Sequence, residues 1–292
     1  MKSYAKIITA MLIWGTLPVF VSKIPYSSAE IVMWRTLIGF LFLGCVFLVS
    51  RRKKTVQSFV CSYKKYAFRL ILSGMFMGAN WVALFESYRW VDVSIATLAY
   101  YMSPVIVMIA SVFLFREHAG KIKILGMTAA VAGMFIVTGV QMGGLSPVKG
   151  VFLGLAAAVC YSLVTLINKS TTGIGGLEMT LIQLIGALLI AVPYTVLTHE
   201  GAWMDFTSQA GLFTLILGFV HAGGALFLYF SAIQELPAQS VALCSYIDPA
   251  SALFFAAIFL GDSLTPVQLL GAAMILGGAA AGEVFSRADR RV

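Results

Sequence analysis

The chain is 292 residues long, 60% of its residues are hydrophobic and 11% are charged. Soluble domains carry about 25% charged residues, so this composition excludes a soluble protein and predicts an integral membrane protein. A net charge of +8 would suggest a nucleic-acid partner in a soluble chain, but in a membrane protein the positions of the charges decide their meaning.

Ten apolar stretches follow one another along the chain, each long enough to cross about 30 Å of hydrocarbon as a helix. They are 4–22, 28–50, 67–88, 93–115, 122–140, 148–167, 177–197, 210–231, 238–260 and 266–284. The first follows Lys2 and Lys6 as a signal peptide would, but it is long, contains Trp14 and has no small-residue cleavage site. We therefore interpret it as a span, and the sequence predicts an all-α protein with ten transmembrane helices.

Lysine and arginine are concentrated in the N-terminal segment, in alternate connections and in the C-terminal tail, whereas the remaining connections hold only Lys23, Arg89 and Lys149. Basic residues mark the cytoplasmic side of a membrane protein. Both termini are therefore predicted to be cytoplasmic. The excess positive charge then reflects topology and contact with anionic membrane lipid, and we expect no nucleic-acid partner.

Catalytic and metal-binding patterns are missing from the sequence. The four cysteines show neither disulfide nor metal-ligand spacing, and His118, His199 and His221 form no metal site or triad-like pattern. We therefore predict no enzyme activity, no metal and no cofactor. A channel would be favoured by a ring of like charges or a repeated filter motif, and neither is found. A channel or a receptor on the same scaffold stays open as an alternative.

A shift of 145 residues brings the two halves of the sequence into register. It places TLAYYMSPVIVMIA (97–110) on ALCSYIDPASALFF (242–255) and thereby aligns Pro104 with Pro249. The same shift aligns Phe85 with Phe230, Glu117 with Asp262, Gly126 with Gly271 and Gly133 with Gly278. Apolar sequences often match by chance, but a proline, an acid and several glycines in one register seldom do. The chain is therefore predicted to contain an internal repeat.

Each half holds five predicted spans, and five is odd, so the second copy crosses the membrane in the opposite direction. We predict two inverted five-helix repeats, 1–143 and 144–292. Inverted repeats are typical of secondary transporters, in which two halves open alternately to either side around one site near the midplane.

Short motifs along the chain resemble those of EamA-type permeases of the drug/metabolite transporter superfamily. They are IWG (13–15), MWR (33–35), YYMSP (100–104), FREH (115–118), IDP (247–249) and LGDSL (260–264). The resemblance covers essentially the whole chain. It implies a central pathway enclosed by spans 1–4 and 6–9, with spans 5 and 10 outside. It also implies transport of small organic solutes, often as export, across the inner membrane of a prokaryote.

Asp248 and Pro249 lie in the middle of the ninth stretch. A carboxylate at that depth costs about 3 kcal/mol on insertion scales, so it faces a partner or a water-filled cavity. Pro249 and its counterpart Pro104 free the carbonyls of Ser245 and Tyr100, and broken helices at membrane depth are buried in protein or line cavities. We predict two kinked helices at the pathway, with packing kinks and a paired aspartate as the alternative.

Three ionisable residues accompany Asp248 within the predicted spans. Arg35 is placed to hold a substrate carboxylate, with an ion pair to Asp248 or a snorkelling side chain as alternatives. His221 and Glu86, like Asp248, are candidates for proton coupling. A locally hydrogen-bonded His221 and an i,i+3 ion pair between Glu86 and Arg89 are the competing interpretations. The first span contains no acid, so without these groups transport would be facilitated diffusion.

The other candidate pathway residues are aromatic or neutral and polar. Thr97, Tyr101 and Pro104 share one face of the fourth span, and Asn80 next to Trp81 needs partners for its buried amide. The set predicted to line the pathway is Trp14, Trp34, Arg35, Asn80, Trp81, Thr97, Tyr100, Tyr101, Tyr161, Gln183 and Tyr246. Membrane aromatics also serve as interfacial or packing residues, which is the alternative for each of them.

These features predict a carrier that exports amino acids or amphipathic amine-like compounds, with uptake or facilitative transport of a similar solute as the alternative. The expected partners are a small-molecule substrate and membrane lipid. We expect a monomer. Glycine pairs such as Gly278 with Gly282 permit close helix approach, so a homodimer through the last span stays open.

Overall fold

The computed structural model describes residues 2–50, 56–87, 89–91, 93–117, 120–138, 148–261 and 265–288. Every regular element in these ranges is a helix. In chain order the α-helices are α1 (Lys2–Gly15), α2 (Leu17–Val21), α3 (Ser28–Ser50), α4 (Val56–Ser87), α5 (Val93–Tyr100), α6 (Ser103–Leu114), α7 (Lys121–Thr138), α8 (Val148–Ser170), α9 (Gly176–Thr198), α10 (Gln209–Ile216), α11 (Leu226–Ile233), α12 (Ala238–Ser245), α13 (Ile247–Leu260) and α14 (Pro266–Ala288). His118, Asp262 and the predicted boundary between residues 143 and 144 lie outside the described ranges.

Eight helical segments within the described ranges are long and apolar enough to cross a membrane. They are Lys2–Val21, Ser28–Ser50, Lys64–Ser87, Ala96–Leu114, Val148–Ser170, Gly176–Thr198, Gln209–Ile233 and Ala238–Leu260. α7 and α14 occupy the fifth and tenth predicted stretches without meeting the same requirement, so ten spans stay a prediction. α4 begins well before the predicted start at residue 67, because hydropathy detects the apolar part of a helix and not its polar extension.

Three of the spanning segments are interrupted just before a proline. The breaks lie at Thr16 before Pro18, at Tyr101 and Met102 before Pro104, and at Tyr246 before Pro249. Each proline lacks the amide hydrogen that would bond the carbonyl four residues earlier. The turn tightens there instead, as in the bond from Tyr246 N to Leu243 O at 3.2 Å.

A fourth irregularity joins α10 to α11, where residues Leu217–Ala225 form a π-helix. This segment, LGFVHAGGA, contains three glycines and carries His221 at its centre. π-Helical turns are rare and frequently occur at functional sites. The bond pattern widens the helix at the level of His221, next to the cavity described below.

Glycine contacts bring helices of the two sequence halves together. α7 packs on α14, where Gly126 lies against Gly278 and Gly133 against Gly271. α3 packs on the π-helix and α4 on α9, while α1 contacts α13 and α8 contacts α5 and α6. The largest cluster of buried hydrophobic residues draws on α1, α3, α4, α8, α9, α11 and α12, whereas the described residues of α7 and α14 join a second cluster with α6 and α12.

Candidate functional site

A cavity of about 480 Å³ lies between the helices of both halves. Ten of the residues singled out in the sequence line it: Trp14, Arg35, Trp81, Thr97, Tyr100, Tyr101, Tyr161, His221, Asp248 and Pro249. They come from α1, α3, α4, α5, α8, the π-helix and α13 and from the break after α5. The broken helices α5/α6 and α12/α13 thus both reach the cavity.

Arg35 provides a buried cation at the cavity wall. Its side chain projects from α3, the residue is 7% exposed, and its guanidinium carbon lies 4.7 Å from the centre of the Trp81 indole ring. An arginine within a span costs up to about 3 kcal/mol on insertion scales, and a desolvated cation–π contact contributes about 2 kcal/mol in the opposite direction. Trp81 therefore offsets part of the cost, and Arg35 Nε is left without a hydrogen-bond partner.

Asp248 is bonded to a tyrosine. The Tyr101 hydroxyl donates to Asp248 Oδ2 at 3.0 Å, and the Tyr246 hydroxyl donates to the Tyr101 carbonyl at 3.1 Å. The alternative ion pair between Asp248 and Arg35, two residues that the structure describes, is not formed. The two helix breaks are thus tied to each other across the halves, with the carboxylate at the cavity.

Tyrosine and tryptophan rings form a continuous wall beside these charged groups. Tyr229 lies 5.2 Å from Trp14 between ring centres, and its hydroxyl is 3.1 Å from that of Tyr161. The ring centres of Tyr161 and Tyr100 are 5.9 Å apart, and those of Tyr100 and Tyr101 are 5.1 Å apart. Such rings offer flat apolar faces together with polar edges, which suits a solute with both apolar and polar parts.

His221 reaches the cavity from the π-helix. Its Nε2 lies 3.0 Å from Thr16 Oγ1, and Thr16 donates its single hydroxyl proton to the Ile13 carbonyl at 2.7 Å. The second ring nitrogen, Nδ1, has no hydrogen-bond partner among the described residues, so the ring is held through Nε2. The break at Thr16 and the π-helix are linked through this bond, and Trp14 Nε1 adds a second one to the His221 carbonyl at 3.3 Å.

Asn80 and Gln183, both predicted to line the pathway, lie outside the cavity lining. Asn80 donates to the Ala157 carbonyl at 2.7 Å and thereby joins α4 to α8. Gln183 accepts from Asn168 at 3.0 Å and Ser73 at 3.4 Å. Each amide thus bonds a neighbouring helix through one of its two polar atoms, while Asn80 Oδ1 and Gln183 Nε2 are buried without a hydrogen-bond partner in the described residues.

Four further candidates also lie outside the lining. The Trp34 ring packs edge-on against Phe206 at 4.9 Å, and Pro104 and Tyr246 are buried at the helix breaks. Glu86 accepts a bond from Tyr194 at 3.2 Å and pairs with Arg89 at 3.3 Å. The i,i+3 ion pair considered as the alternative for Glu86 is therefore formed.

Metal binding finds no support in the described ranges, where no three His, Cys, Asp or Glu side chains converge. The chemistry that the cavity offers is electrostatic and hydrogen-bonding recognition within an aromatic enclosure. Among the described lining residues, no nucleophile is paired with a base.

A model of the EamA-like transporter family matches residues 1–139 and matches a second time over residues 148–281. The chain belongs to the EamA-like transporter family. It is 27% identical over 279 residues to the uncharacterized transporter YxxF of Bacillus subtilis, which covers 94% of this chain and 87% of the relative. It is 25% identical over 263 residues to the protein RarD of Salmonella typhi, and the match covers 87% of this chain and 85% of the relative. A solved crystal structure superposes with a TM-score of 0.82 at 18% identity over 98% of each chain, which shows the same fold.

This transporter is thus a multi-pass membrane protein of the drug/metabolite transporter superfamily. Sequence reasoning missed part of its cavity, most of it apolar. The missed lining residues are Leu17, Pro18, Met77, Leu84, Phe85, Met134, Val164, Ala222, Leu226, Tyr229, Phe230, Ala252 and Leu253. Tyr229 matters most among them, because its hydroxyl joins Tyr161 and Thr165 in the wall.

The repeat register contained the signal that would have found several of them. At a shift of 145, the α4 lining positions Met77, Trp81, Leu84 and Phe85 fall on Ala222, Leu226, Tyr229 and Phe230, all of which line the cavity. At a shift of 147, Trp14 and Leu17 fall on Tyr161 and Val164. Applying the register to the predicted site residue Trp81 would therefore have added Leu226, its counterpart in the other half.

Proposed function

We propose that this EamA-like transporter is a secondary carrier that moves a small organic metabolite across the inner membrane of a prokaryote by alternating access. Export of amino acids or amphipathic amine-like compounds is the favoured activity. The observation that carries the proposal is the cavity shared by both halves, where Arg35, Asp248 and an aromatic wall converge. Its volume of about 480 Å³ is within the range of small-molecule sites.

Two inverted repeats with ten crossings fit the internal contacts of the bundle. The 145-residue shift aligns Gly126 with Gly271 and Gly133 with Gly278 in sequence. In space, Gly126 contacts Gly278 and Gly133 contacts Gly271. Each contact is therefore the counterpart of the other, as a two-fold relation between the halves requires. This reciprocity supports a pair of matched halves that rock against each other.

The two sides of the cavity differ in a way that supports alternating access. With the N-terminus cytoplasmic, Trp14, Arg35, Trp81 and Tyr100 lie in the outer halves of their spans, so we infer that the cavity opens outward. Near the opposite face, Glu117 of the first half accepts bonds from the backbone amides at the start of α12, at 2.8 Å and 3.1 Å. Such contacts would close the cytoplasmic side in this conformation.

Proton coupling, if the carrier uses it, is assigned here to Asp248. Asp248 lines the cavity and is bonded to Tyr101, whereas Glu86 is engaged by Arg89 and Tyr194 away from the lining. His221 lines the cavity as well, and its unpaired Nδ1 makes it the second candidate. A carboxylate that alternates between a tyrosine and a substrate is a simple coupling device.

The test is flux into proteoliposomes that contain the purified protein. Labelled amino acids and amines are supplied with and without an imposed pH gradient, and we expect saturable uptake that is accelerated by unlabelled substrate on the opposite side. Protein-free liposomes give the background. Flux that rises linearly with concentration and shows no acceleration would indicate a channel, and binding without flux would indicate a receptor.

A further inference from the structure

Arg35 lines the cavity, and no carboxylate of the described residues forms an ion pair with it. In the described part of the chain, Glu86 pairs with Arg89, Glu30 lies 3.8 Å from His199, and Asp248 accepts a hydrogen bond from Tyr101. Arg35 is 7% exposed and its Nε makes no hydrogen bond. Among the described residues, therefore, its guanidinium has an aromatic neighbour and no anion.

The Arg35 guanidinium carbon lies 4.7 Å from the centre of the Trp81 ring, within the range of a cation–π contact. A cation stacked over an indole ring interacts through its face, while the five N–H donors of arginine point outward in the plane of the group. A carboxylate binds to two of these donors side by side. Arg35, in the cavity lining with an unpartnered Nε, therefore has donor capacity for a planar oxyanion.

The aromatic wall indicates the chemistry of the rest of a solute whose carboxylate binds Arg35. Trp14, Tyr161 and Tyr229 form stacked and tilted aromatic surfaces within the same cavity as Arg35. The ring faces suit the apolar part of a solute, and the hydroxyl groups of Tyr161 and Tyr229 are hydrogen-bonded to each other. Asp248 remains the anionic group of the lining, available to an ammonium on the same solute.

We propose that the substrate carries a free carboxylate bound by Arg35, attached to an apolar or aromatic body, so that amino acids are substrates and the corresponding amines are not. This rests on the proposed transport function and narrows it to one of the two solute classes. An amine without a carboxylate would place a second cation beside Arg35 and leave the guanidinium unpaired, and like charges in a buried site repel strongly.

The experiment compares matched ligands by thermal stabilisation of the purified full chain. The probes are the apolar and aromatic L-amino acids, each beside its amide and its decarboxylated amine. A ligand that binds the folded protein raises its unfolding temperature. We expect at least one free acid to stabilise the wild type, with its amide and amine at least about tenfold weaker, the difference expected when one charged hydrogen bond is lost.

Two variants and a matched control link the effect to Arg35. Arg35→Gln should abolish stabilisation by the acid, while Arg35→Lys, which keeps the charge but loses the paired donors, should retain a weakened response. Arg89→Gln serves as the control, because Arg89 is exposed, pairs with Glu86 and lies outside the lining. Size-exclusion profiles and unliganded unfolding temperatures verify that each variant is folded.

The outcomes separate this inference from the proposed function. Equal stabilisation by acids, amides and amines, no response to any acid, or an acid response that survives in folded Arg35→Gln would overturn the carboxylate site. Flux of amines that is independent of Arg35 would overturn it while leaving transport intact. Binding of an acid that depends on Arg35, without flux in proteoliposomes, would support the site and contradict the transport function.

Discussion

A carboxylate held by a phenol is the central residue-level feature of this cavity. Asp248 accepts from Tyr101, and Tyr101 in turn offers its backbone carbonyl to the hydroxyl of Tyr246. The aspartate is therefore connected to both helix breaks. A change at Asp248 acts on the cavity chemistry, and the neighbouring hydrogen bonds can persist if the replacement still accepts from Tyr101.

Asp248→Asn is expected to lower substrate flux by about tenfold or more with little loss of stability. The amide oxygen can still accept from Tyr101, but the negative charge is lost, and bonds to charged groups are worth about 1.5–3 kcal/mol. The measurement is initial flux in proteoliposomes at equal protein density. Flux within about twofold of the wild type would remove Asp248 from the mechanism.

Asp205→Asn is the matched control for that variant. Asp205 lies in the connection before α10, outside the membrane-spanning segments, and accepts from the hydroxyl and the backbone amide of Thr207 at 2.7 Å and 2.8 Å. These bonds hold the pKa of Asp205 below its usual range. Loss of this charge, remote from the cavity, should leave flux unchanged.

Whether a candidate residue lines the cavity depends on which way its side chain points. Trp81 lines the cavity, whereas the adjacent Asn80 bonds Ala157, because neighbours on a helix are about 100° apart. In a soluble protein, the pattern of polar and apolar residues shows which face of a helix is buried. In a membrane span, lipid-facing, protein-facing and cavity-facing sides are all largely apolar, so composition marked Asn80 and Gln183 as candidates but gave no orientation, and it overlooked Tyr229.

At the scale of elements, α12 begins with a cap supplied from the other half. The first amide groups of a helix have no partner inside it, and Pro237 provides no side-chain cap for α12. The Glu117 carboxylate accepts hydrogen bonds from the backbone amides of Ala238 and Gln239. Its negative charge also interacts favourably with the positive N-terminal end of the helix dipole. The start of α12 is thereby fastened to the segment that follows α6.

Glu117→Gln is expected to loosen this attachment. Loss of a helix cap costs about 1 kcal/mol, which is a factor of about five in a conformational equilibrium. The readout is reaction of a cysteine placed at Ser245, 6% exposed in this conformation, with a thiol reagent applied from the cytoplasmic side. Labelling should become about fivefold faster, and an unchanged rate would show that Glu117 does not hold this side closed.

The contact between α7 and α14 depends on the absence of side chains at its glycines. A methyl group at Gly278 would collide with the carbonyl of Gly126 and lie 3.1 Å from the Ala129 side chain. Gly277, one position earlier, has nothing within 4 Å of the same added atom. Adjacent glycines of one helix thus provide a matched comparison.

Gly278→Ala is expected to lower the free energy of unfolding by about 1–3 kcal/mol, since overpacking forces the two helices apart. Gly277→Ala should be neutral or slightly stabilising, because alanine favours helix more than glycine does. Thermal unfolding of both variants in the same detergent is the measurement. Equal unfolding temperatures would mean that the α7–α14 contact does not need close approach at Gly278.

Element positions followed hydropathy closely, but the irregular segments were predicted unevenly. Pro104 and Pro249 drew notice because they share the repeat register, whereas Pro18 has no such counterpart and the break at Thr16 was overlooked. The π-helix carries no comparable signal. It packs closely on α3, with Gly218 against Ile38, a contact between distant residues that a local sequence does not reveal.

At the scale of the whole molecule, the two broken segments contribute unequal portions to the cavity. The first supplies Tyr100 and Tyr101, which lie three to four residues before its proline. The second supplies Asp248, directly before its proline, together with Pro249 and Ala252. The repeat counterparts of these residues are buried, among them Ser103, Val107, Ser245 and Tyr246. If the halves exchange conformations during transport, these buried counterparts become the lining of a cavity on the cytoplasmic side.

Cysteines placed at Val107 and at Ala252, its counterpart at a shift of 145, test this exchange. Val107 is 1% exposed and Ala252 lines the cavity. In a background with the native cysteines replaced by serine, Ala252→Cys should react from the outside, and Val107→Cys only from the cytoplasmic side when a substrate gradient favours the other conformation. A cysteine at Val107 that never reacts under any gradient would contradict exchange between the halves.

The aromatic wall also gives the protein an intrinsic optical signal. Of its five tryptophans, Trp14 and Trp81 line the cavity, Trp34 packs on Phe206, and Trp90 and Trp203 are 41% and 47% exposed. A solute entering the cavity replaces water beside two indole rings, which shifts their emission, whereas the surface rings give a constant background. Occupancy by a non-fluorescent solute can therefore be titrated spectroscopically in unlabelled wild-type protein.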